Sequence, residues 1–326
     1  MSDKNNNYQP LASDAVPRYA GMATFMRLPF MDINQVSDAD IGLFGIPWDG
    51  GTTNRPGARH GPRQIRDQSS LMRKYHPVLK LSPYELANCA DFGDTPVNPL
   101  KIEDTLDMIH NFVSRLVNKS IMPLSAGGDH LVSLPILRAL AEKHGTMGMV
   151  HFDAHTDTWD GYFGGCKYTH GTPFRRAIEE GLLDPKRIVQ IGIRGGLYSE
   201  KDDDWGLSQG IRIIRIEEYF ELGVQQVLEI ARSVVGHDAT YLSFDVDCLD
   251  PVYAPGTGTP EIGGICTHDA QQLLRGLRGL NLIGADLVEV SPPLDTSGET
   301  ALVGATLMWE MLCLLSEKVS QHKAVL

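Results

Sequence analysis

The stretch 151-HFDAHTDTWD-160 decides how the rest of this 326-residue chain is interpreted. An apolar run that begins at Met147 predicts a buried strand, and polar side chains follow it at once. Asp153, His155 and Asp157 occupy every second position. Because alternate side chains of an extended segment point the same way, these three groups converge just beyond the strand. Two carboxylates and an imidazole in one place indicate a divalent metal site, although acids of a polar loop that cap the next helix are a structural alternative.

The same chemistry follows two further predicted strands. The run 240-TYLSFD-245 leads into SFDVDCLDP, where Asp245 and Asp247 share a face. The apolar residues 121–124 lead into SAGGDH, whose glycines allow the sharp turn that brings His130 to a third strand end. Open α/β sheets carry their sites at the carboxyl ends of strands, so these ends are expected to meet in one crevice. Four aspartates and two histidines exceed one tetrahedral site and suit two ions that share bridging carboxylates.

Composition and charge limit the classes of protein and partner. The chain is 42% hydrophobic and 21% charged, as expected of a globular enzyme, and its net charge of −12 argues against nucleic-acid and anionic membrane partners. Its five cysteines are odd in number and lack CxxC spacing, so reduced thiols are expected. No apolar run approaches a membrane span, and the N-terminus has no signal h-region. We therefore predict a cytoplasmic protein.

Apolar strands alternate with helices along most of the chain. This pattern predicts an α/β fold, a three-layer αβα arrangement with a mostly parallel central sheet. We interpret residues 1–37 as an N-terminal arm that lies on the body or on a neighbouring subunit, and 38–326 as a single domain. The predicted strands lie near 40–46, 86–91, 120–125, 147–152, 187–192, 211–215, 240–245 and 282–288. The predicted helices lie near 61–75, 102–118, 131–143, 172–181, 223–235, 268–279 and 301–318.

Three further segments carry candidate functional residues. The loop PWDGGTTNRPGARHGPRQIR is dense in Gly, Pro and Arg, and is either functional or a structural loop held by its arginines. His170 lies beside Gly171; an isolated loop histidine is ordinarily solvated, but its closeness to Asp157 makes it a candidate acid or base. Glu289 ends an apolar strand, and a buried carboxylate there needs a cationic partner, either an arginine or a cationic substrate.

Together these segments resemble the ureohydrolase family: arginases, agmatinases and related amidinohydrolases that release urea from guanidino compounds. The matching motifs are SAGGDH, HFDAHTD and SFDVDCLDP, with GTGTPEIGG and DLVEVSPP beside them, within residues 38–318. The segments PGTGTPEIGG and HGTPFRRA are similar to the agmatinase branch. The resemblance implies an arginase-like fold and a homo-oligomer, either a trimer or a hexamer.

The resemblance also implies a role for each candidate residue. One metal ion would be held by His130, Asp153, Asp157 and Asp245, and the other by Asp153, His155, Asp245 and Asp247. Glu289 would pair with the substrate guanidinium, Asp157 would orient the nucleophile, and His170 would protonate the departing amine. Manganese is the expected metal, with nickel or cobalt as alternatives because the general affinity order favours them.

The sequence departs from the family pattern at Trp159, where related enzymes that hold amino-acid or guanidino-acid substrates often carry asparagine. Together with Tyr162 and Phe163, it predicts a short, partly aromatic pocket for a small guanidino compound. Tyr162 in its YFGG loop resembles guanidinopropionase-like enzymes, and this resemblance makes 3-guanidinopropanoate the first substrate hypothesis. Agmatine, 4-guanidinobutanoate and a small alkylguanidine held by cation–π contact are alternatives.

Two more distant hypotheses follow from the same residues. Binuclear Asp/His sites also hydrolyse phosphoesters, and Arg55, Arg59 and Arg63 would then bind the phosphate. Glu289 would repel a phosphate and attract a guanidinium, which favours the amidinohydrolase. A non-catalytic subunit that assembles with an active partner is the other hypothesis, but all six ligands and His170 are present.

Overall fold

An eight-stranded sheet forms the centre of the fold, and the computed structural model describes residues 6–325. The strands are β1 (Ile41–Gly45), β2 (Cys89–Asp94), β3 (Met122–Ala126), β4 (Met147–Phe152), β5 (Leu183–Ile193), β6 (Arg212–Arg215), β7 (Thr240–Asp245) and β8 (Leu282–Val288). They lie in the order β2-β1-β3-β8-β7-β4-β5-β6, and every neighbouring pair is parallel. Their carboxyl ends therefore share one edge, where β3, β8, β7 and β4 lie side by side.

Helices cover both faces of this sheet, which confirms the predicted three-layer αβα fold. The helices are α1 (Gly61–Ser69), α2 (Pro83–Leu86), α3 (Ile102–Asn118), α4 (Ser133–His144), α5 (Pro173–Glu179), α6 (Asp204–Gln209), α7 (Ile216–Val235), α8 (Thr267–Gly276) and α9 (Glu299–Val325). Residues of α1, α7, α8 and α9 join one hydrophobic core, and residues of α3, α4 and α5 join another. Within β4, Val150 and Phe152 belong to the first core, and Met147 and Met149 to the second. This alternation is what a strand buried on both faces requires.

Helix α1 ends at Ser69, earlier than the predicted end near residue 75. The Ser69 hydroxyl donates to the Arg66 carbonyl at 2.7 Å and accepts the Met26 backbone N–H at 2.7 Å. Such side-chain bonds compete with helix continuation. Leu71, which belonged to the predicted helix, lies beyond its end and is exposed.

Other boundaries also differ from the prediction. The strand predicted near 86–91 is shifted to β2, because Pro83 starts the short helix α2 before it. The helix predicted near 223–235 begins at Ile216, and Gly223 interrupts it with φ of 72°, a conformation that glycine adopts readily. Helices α2 and α6 are absent from the prediction because elements this short show no clear 3.6-residue period.

Helix α9 has the length and composition of a membrane span, which contradicts our expectation that no apolar run approaches one. Within its Glu299–Ala324 segment, 72% of the most apolar window is buried inside the fold. Met308, Met311 and Leu312 belong to the core beneath it. Burial against protein accounts for the apolar composition, because a helix surrounded by protein needs few polar faces.

The segment before β1 lies on the body of the fold. Phe25 and Leu28 are buried in the core. The Phe25 N–H donates to the Asp91 carboxylate at 2.8 Å, and Arg66 pairs with the same carboxylate at 2.9 Å. One buried carboxylate thus connects this segment to β2 and α1. Contact of the segment with a neighbouring subunit stays a prediction.

Candidate active site

Four neighbouring strand ends carry the predicted site residues. His130 follows β3, Glu289 follows β8, Asp245 ends β7 and Asp153 follows β4. The turn after β3 needs glycine, because a Cβ on Gly128 would lie 1.7 Å from a carbonyl oxygen of the loop after β1. The sheet order therefore brings together residues that lie far apart in the sequence.

One cluster surrounds the buried His130 ring at its Nδ1 atom. Carboxylate oxygens of Asp157, Asp153 and Asp245 lie 2.9, 3.1 and 3.3 Å from that atom. Among the described residues, none forms a properly directed hydrogen bond with Nδ1. Ligands that share one ion at bond lengths of about 2.1–2.2 Å lie about 3 Å from each other. The spacings therefore fit a common ion better than N–H···O pairs.

The opposite side of the His130 ring shows which nitrogen can bind an ion. Ser243 Oγ donates to Asp286 at 2.7 Å, so only its lone pairs remain for His130 Nε2, 2.9 Å away. Nε2 therefore carries a hydrogen, and the neutral ring presents the Nδ1 lone pair to the carboxylates. Outer partners of this kind fix the tautomer of metal-binding histidines. A lone pair among three carboxylates is repulsive without a cation, so the donor set fits a divalent ion.

A second cluster lies beside the first and shares Asp153 with it. His155 Nδ1 lies 3.1 Å from Asp247 Oδ2 and 3.4 Å from Asp153 Oδ1. Asp153 thus directs Oδ2 to the first cluster and Oδ1 to the second, as a bridging carboxylate does. Glu261 lies 3.6 Å from His155 Nε2, on the far side of the ring.

The electrostatics of both clusters also favour added positive charge. Burial, followed by the charges of Asp247 and Asp153, raises the pKa of Asp245. Burial and the charge of Asp153 likewise raise the pKa of Asp247. Buried carboxylates this close favour the neutral acid unless a cation stabilises their charges. Two divalent ions would supply that stabilisation, in agreement with the ligand count from the sequence.

His170 and Glu289 form a hydrogen-bonded pair beside the clusters. His170 Nδ1 lies 2.9 Å from Glu289 Oε1, and the Thr53 backbone N–H donates to His170 Nε2 at 3.1 Å. This is the pattern of a neutral ring with its hydrogen on Nδ1. Burial lowers the pKa of His170, but nearby carboxylates, Glu289 first, outweigh it and raise the pKa to about 9. The Thr53 contact fits the neutral ring, whereas a pKa of about 9 favours the protonated ring near neutral pH. A ring that can take up and release a proton at Nε2 suits the predicted role of proton donor.

Two site residues have backbone conformations that cost energy. Asp157 and Glu289 have φ of 53° and 64°, in the left-handed region that non-glycine residues rarely adopt. Each such residue costs about 1–3 kcal/mol and persists only where its surroundings hold it. The Glu289 N–H donates to the Gly128 carbonyl at 2.9 Å, which holds it in place. Strain at these two residues is consistent with functional roles for both.

Trp159 and Tyr162 form an aromatic rim next to His170. Their ring centroids lie 5.8 Å apart, and Tyr198, absent from the sequence prediction, lies 5.5 Å from Trp159. Tyr162 packs on Gly171, where an added Cβ would lie 2.8 Å from Tyr162 Oη. The Trp159 N–H donates to the Gly171 carbonyl at 3.1 Å. The rim is therefore attached to the backbone that carries His170.

Sequence reasoning missed several residues that support the site. They are Thr53, His151, Gln190, Ser243 and Asp286. His151 and Ser243 carried a signal, because each precedes a predicted ligand by the same two-residue step that relates the ligands to one another. The others act through contacts between distant parts of the chain, for which no local pattern exists.

Comparison with known proteins identifies the family of the chain. The profile of the Arginase family matches residues 39–313. The chain belongs to the arginase family. It is therefore an amidinohydrolase, an enzyme that hydrolyses C–N bonds of guanidino compounds.

Individual members of the arginase family cover nearly the whole chain. Guanidinopropionase from Pseudomonas aeruginosa is 60% identical over 97% of this chain and 99% of its own. Guanidinobutyrase from the same organism is 47% identical over 95% and 97%. The structure of proclavaminate amidino hydrolase from Streptomyces clavuligerus matches with a TM-score of 0.87 at 40% identity, over 93% of this chain and 99% of that one. These similarities confirm the predicted ureohydrolase resemblance and the arginase-like fold.

Membership of the arginase family also decides against the phosphoesterase hypothesis. Arg55 donates to the carbonyls of Thr257 and Gly258 at 2.9 Å, and Arg59 pairs with Asp49. Both guanidinium groups are thus engaged by protein oxygens, whereas Arg63, the third arginine of that hypothesis, is exposed. The roles of the individual site residues in this arginase-family enzyme stay predictions.

Proposed function

We propose that this enzyme hydrolyses 3-guanidinopropanoate to urea and 3-aminopropanoate. The observation that carries the proposal is the aromatic rim of Trp159 and Tyr162, which packs on Gly171 beside His170. A rim in this position limits the length of the chain attached to the guanidinium. The guanidinopropionase from Pseudomonas aeruginosa, at 60% identity, supports the same short guanidino acid.

Six residues hold two metal ions in this proposal. One ion is held by His130, Asp153, Asp157 and Asp245, and the other by Asp153, His155, Asp245 and Asp247. Asp245 Oδ2 lies 3.3 Å from His130 Nδ1, and Asp245 Oδ1 accepts the Asp247 N–H at 2.8 Å, so Asp245 lies between the residues that would hold the two ions. When bound, the two ions make a shared water acidic enough to supply the nucleophile near neutral pH.

The side chains around the clusters bind the substrate and move its protons. Glu289 Oε1 accepts the His130 backbone N–H and bonds to His170, which leaves Oε2 to pair with the guanidinium. Asp157 orients the attacking water. The water oxygen joins the guanidinium carbon, the C–N bond to the alkyl amine breaks, and both protons of the water pass to the departing nitrogen, one of them through His170. The products are urea and the primary amine.

The metal, the compartment and the assembly belong to the same proposal. Manganese is the first metal, with nickel or cobalt as alternatives for which availability decides. All five cysteines are free, which supports a reducing compartment such as the cytoplasm. A homotrimer or homohexamer is the proposed assembly.

Urea release from a panel of guanidino compounds tests the substrate. Enzyme loaded with manganese, nickel or cobalt in turn should show the highest kcat/KM with 3-guanidinopropanoate, followed by 4-guanidinobutanoate and then by agmatine and arginine. Each methylene changes the barrier by about 1–3 kcal/mol, or roughly 10–200-fold, so the order should be graded. A preference for agmatine would refute the proposal.

A small alkylguanidine is a second candidate, favoured by one observation. Arg55 and Arg194, which lie on loops of the site, both donate to backbone carbonyls, so neither is free to bind a carboxylate. The rim offers aromatic faces instead, and such faces attract cations and their alkyl groups. A higher kcat/KM for methylguanidine than for 3-guanidinopropanoate would establish this alternative.

A further inference from the structure

His151 is a fully buried histidine that directly contacts a proposed metal ligand. It lies near the end of β4, and its Nε2 atom is 2.8 Å from Asp153 Oδ2. Its ring packs edge-on against Phe174, with 4.5 Å between centroids, and lies 5.1 Å from the His130 ring. Burial and close packing leave the ring a single orientation.

Gln190 determines which nitrogen of His151 carries the hydrogen. Its Nε2 donates to the Thr156 carbonyl at 2.6 Å. The reversed amide would place two oxygens at that distance, so the orientation of Gln190 is fixed. The same Nε2 lies 3.0 Å from His151 Nδ1 and donates its second hydrogen there. Because Nδ1 accepts, the neutral ring carries its hydrogen on Nε2 and donates it to Asp153.

Both nitrogens of His151 are therefore occupied, and no lone pair remains for an ion. The carboxylate of Asp153 is held at each oxygen, because the His155 backbone N–H donates to Oδ1 at 2.6 Å. From this geometry we infer that His151, with its tautomer fixed by Gln190, is a positioning residue that orients the bridging carboxylate of Asp153 and is not a metal ligand. The inference rests on the proposed two-metal site.

Titration of the metal-free full-length protein with Mn²⁺ in a calorimeter tests this role without an activity assay. His151→Phe keeps a flat ring against Phe174 but removes the donor, and loss of such an outer partner weakens metal binding by about 10–100-fold. His151→Gln places an amide N–H near the former Nε2 and should retain most of the wild-type affinity. Both variants should still bind two ions at saturation.

Several outcomes distinguish the alternatives. Binding of only one ion by His151→Phe would show that His151 is itself a ligand, and wild-type affinity in that variant would show that the hydrogen bond does not matter. An equal loss in His151→Gln and His151→Phe would also overturn the inference, because the donor would then not be the cause.

Gln190→Met tests the tautomer without altering His151, and it also serves if His151→Phe does not fold. It should weaken Mn²⁺ binding by an amount between the two His151 variants, and an unchanged affinity would refute the role of Gln190. The wild type is titrated first. A wild type that binds no ions would refute the proposed metal site, whereas the results for the variants above refute the role of His151 at a site that does bind ions.

Discussion

Replacing Gly171 with alanine tests whether the backbone beside His170 sets substrate length through Tyr162. The new Cβ would lie 2.8 Å from Tyr162 Oη and 3.0 Å from its Cε2 atom. Carbon atoms pack at about 3.5–4.0 Å, so the Tyr162 ring would have to move by about 0.5–1 Å. Gly171 has no left-handed φ, so the alanine would add no backbone strain of its own.

This displacement should change substrate preference while leaving the metals in place. Movement of the Tyr162 ring away from the pocket would add space comparable to one methylene group of a substrate. One methylene changes the transition-state free energy by about 1–3 kcal/mol. We therefore expect the kcat/KM ratio of 3-guanidinopropanoate to 4-guanidinobutanoate to fall by about tenfold in Gly171→Ala. Urea release from both substrates measures the kcat/KM ratio. Metal analysis of the purified variant measures whether both ions are retained.

Two further variants show whether the effect passes through the ring. Gly196→Ala is the matched control, because a Cβ there would meet nothing within 4 Å and Gly196 has no left-handed φ. Tyr162→Phe removes the atom nearest to the new Cβ. The double variant Tyr162→Phe/Gly171→Ala should therefore have a substrate ratio closer to the wild-type ratio than Gly171→Ala alone has. An equal loss on both substrates would refute the reasoning, because the alanine would then act through His170 and not through the pocket wall.

Three further predictions concern the metals, the proton donor and the assembly. Asp245→Ala should lose both ions, whereas His155→Ala should keep partial occupancy of the metal site that lacks His155. Two ions per chain in purified Asp245→Ala would disprove the bridging role of Asp245. His170→Ala should lower kcat by about 10²–10⁴-fold on a substrate with a poor leaving group, at unchanged metal content, whereas an effect on KM alone would reassign it to binding. Light scattering should show a trimer or hexamer, and a monomer at working concentration would contradict the expected closed symmetry.

The fold was largely predictable because each buried strand is a continuous apolar run. Strands β4 and β7 match their predicted bounds, and helix α3 does as well. Errors arose where tertiary contacts override local pattern. Helix α1 stops at Ser69 because its hydroxyl bonds to the N-terminal segment, and that segment could not be placed from its own composition. Helix α9 resembles a membrane span in composition, and only its packing shows that it is a core helix.

The predicted ligands share a local signal that their supporting residues lack. Asp153, His155 and Asp157 alternate along one strand end, and an alternating pattern of this kind can be seen without a structure. Thr53, by contrast, contacts His170 across 117 positions of the chain. Gln190 reaches the site from β5, the neighbour of β4 in the sheet, so its role depends on the order of strands. Residue type and spacing do not specify that order.

The metal site makes the folded chain costly to form without positive charge. Asp157 and Glu289 adopt left-handed conformations, at about 1–3 kcal/mol each. The carboxylates of Asp245 and Asp247 are buried close together, and burial is the first cause of their raised pKa values. Both the backbone strain and the burial of neighbouring carboxylates oppose folding. Ions that bind the folded chain and not the unfolded chain offset them, so metal occupancy and stability are linked.

Removal of the ions by EDTA should therefore lower the Tm of the protein. A site filled at 100 times its Kd contributes about 2.7 kcal/mol, and two sites about twice that. At roughly 2 °C per kcal/mol for a chain of this size, we expect a decrease of about 10 °C by scanning calorimetry. Asp245→Ala is the control, because a variant that binds no ion should not respond to EDTA. An unchanged Tm in wild-type protein that has verifiably lost both ions would show that the chain compensates the buried carboxylates by itself, for example through a proton on His130 Nδ1.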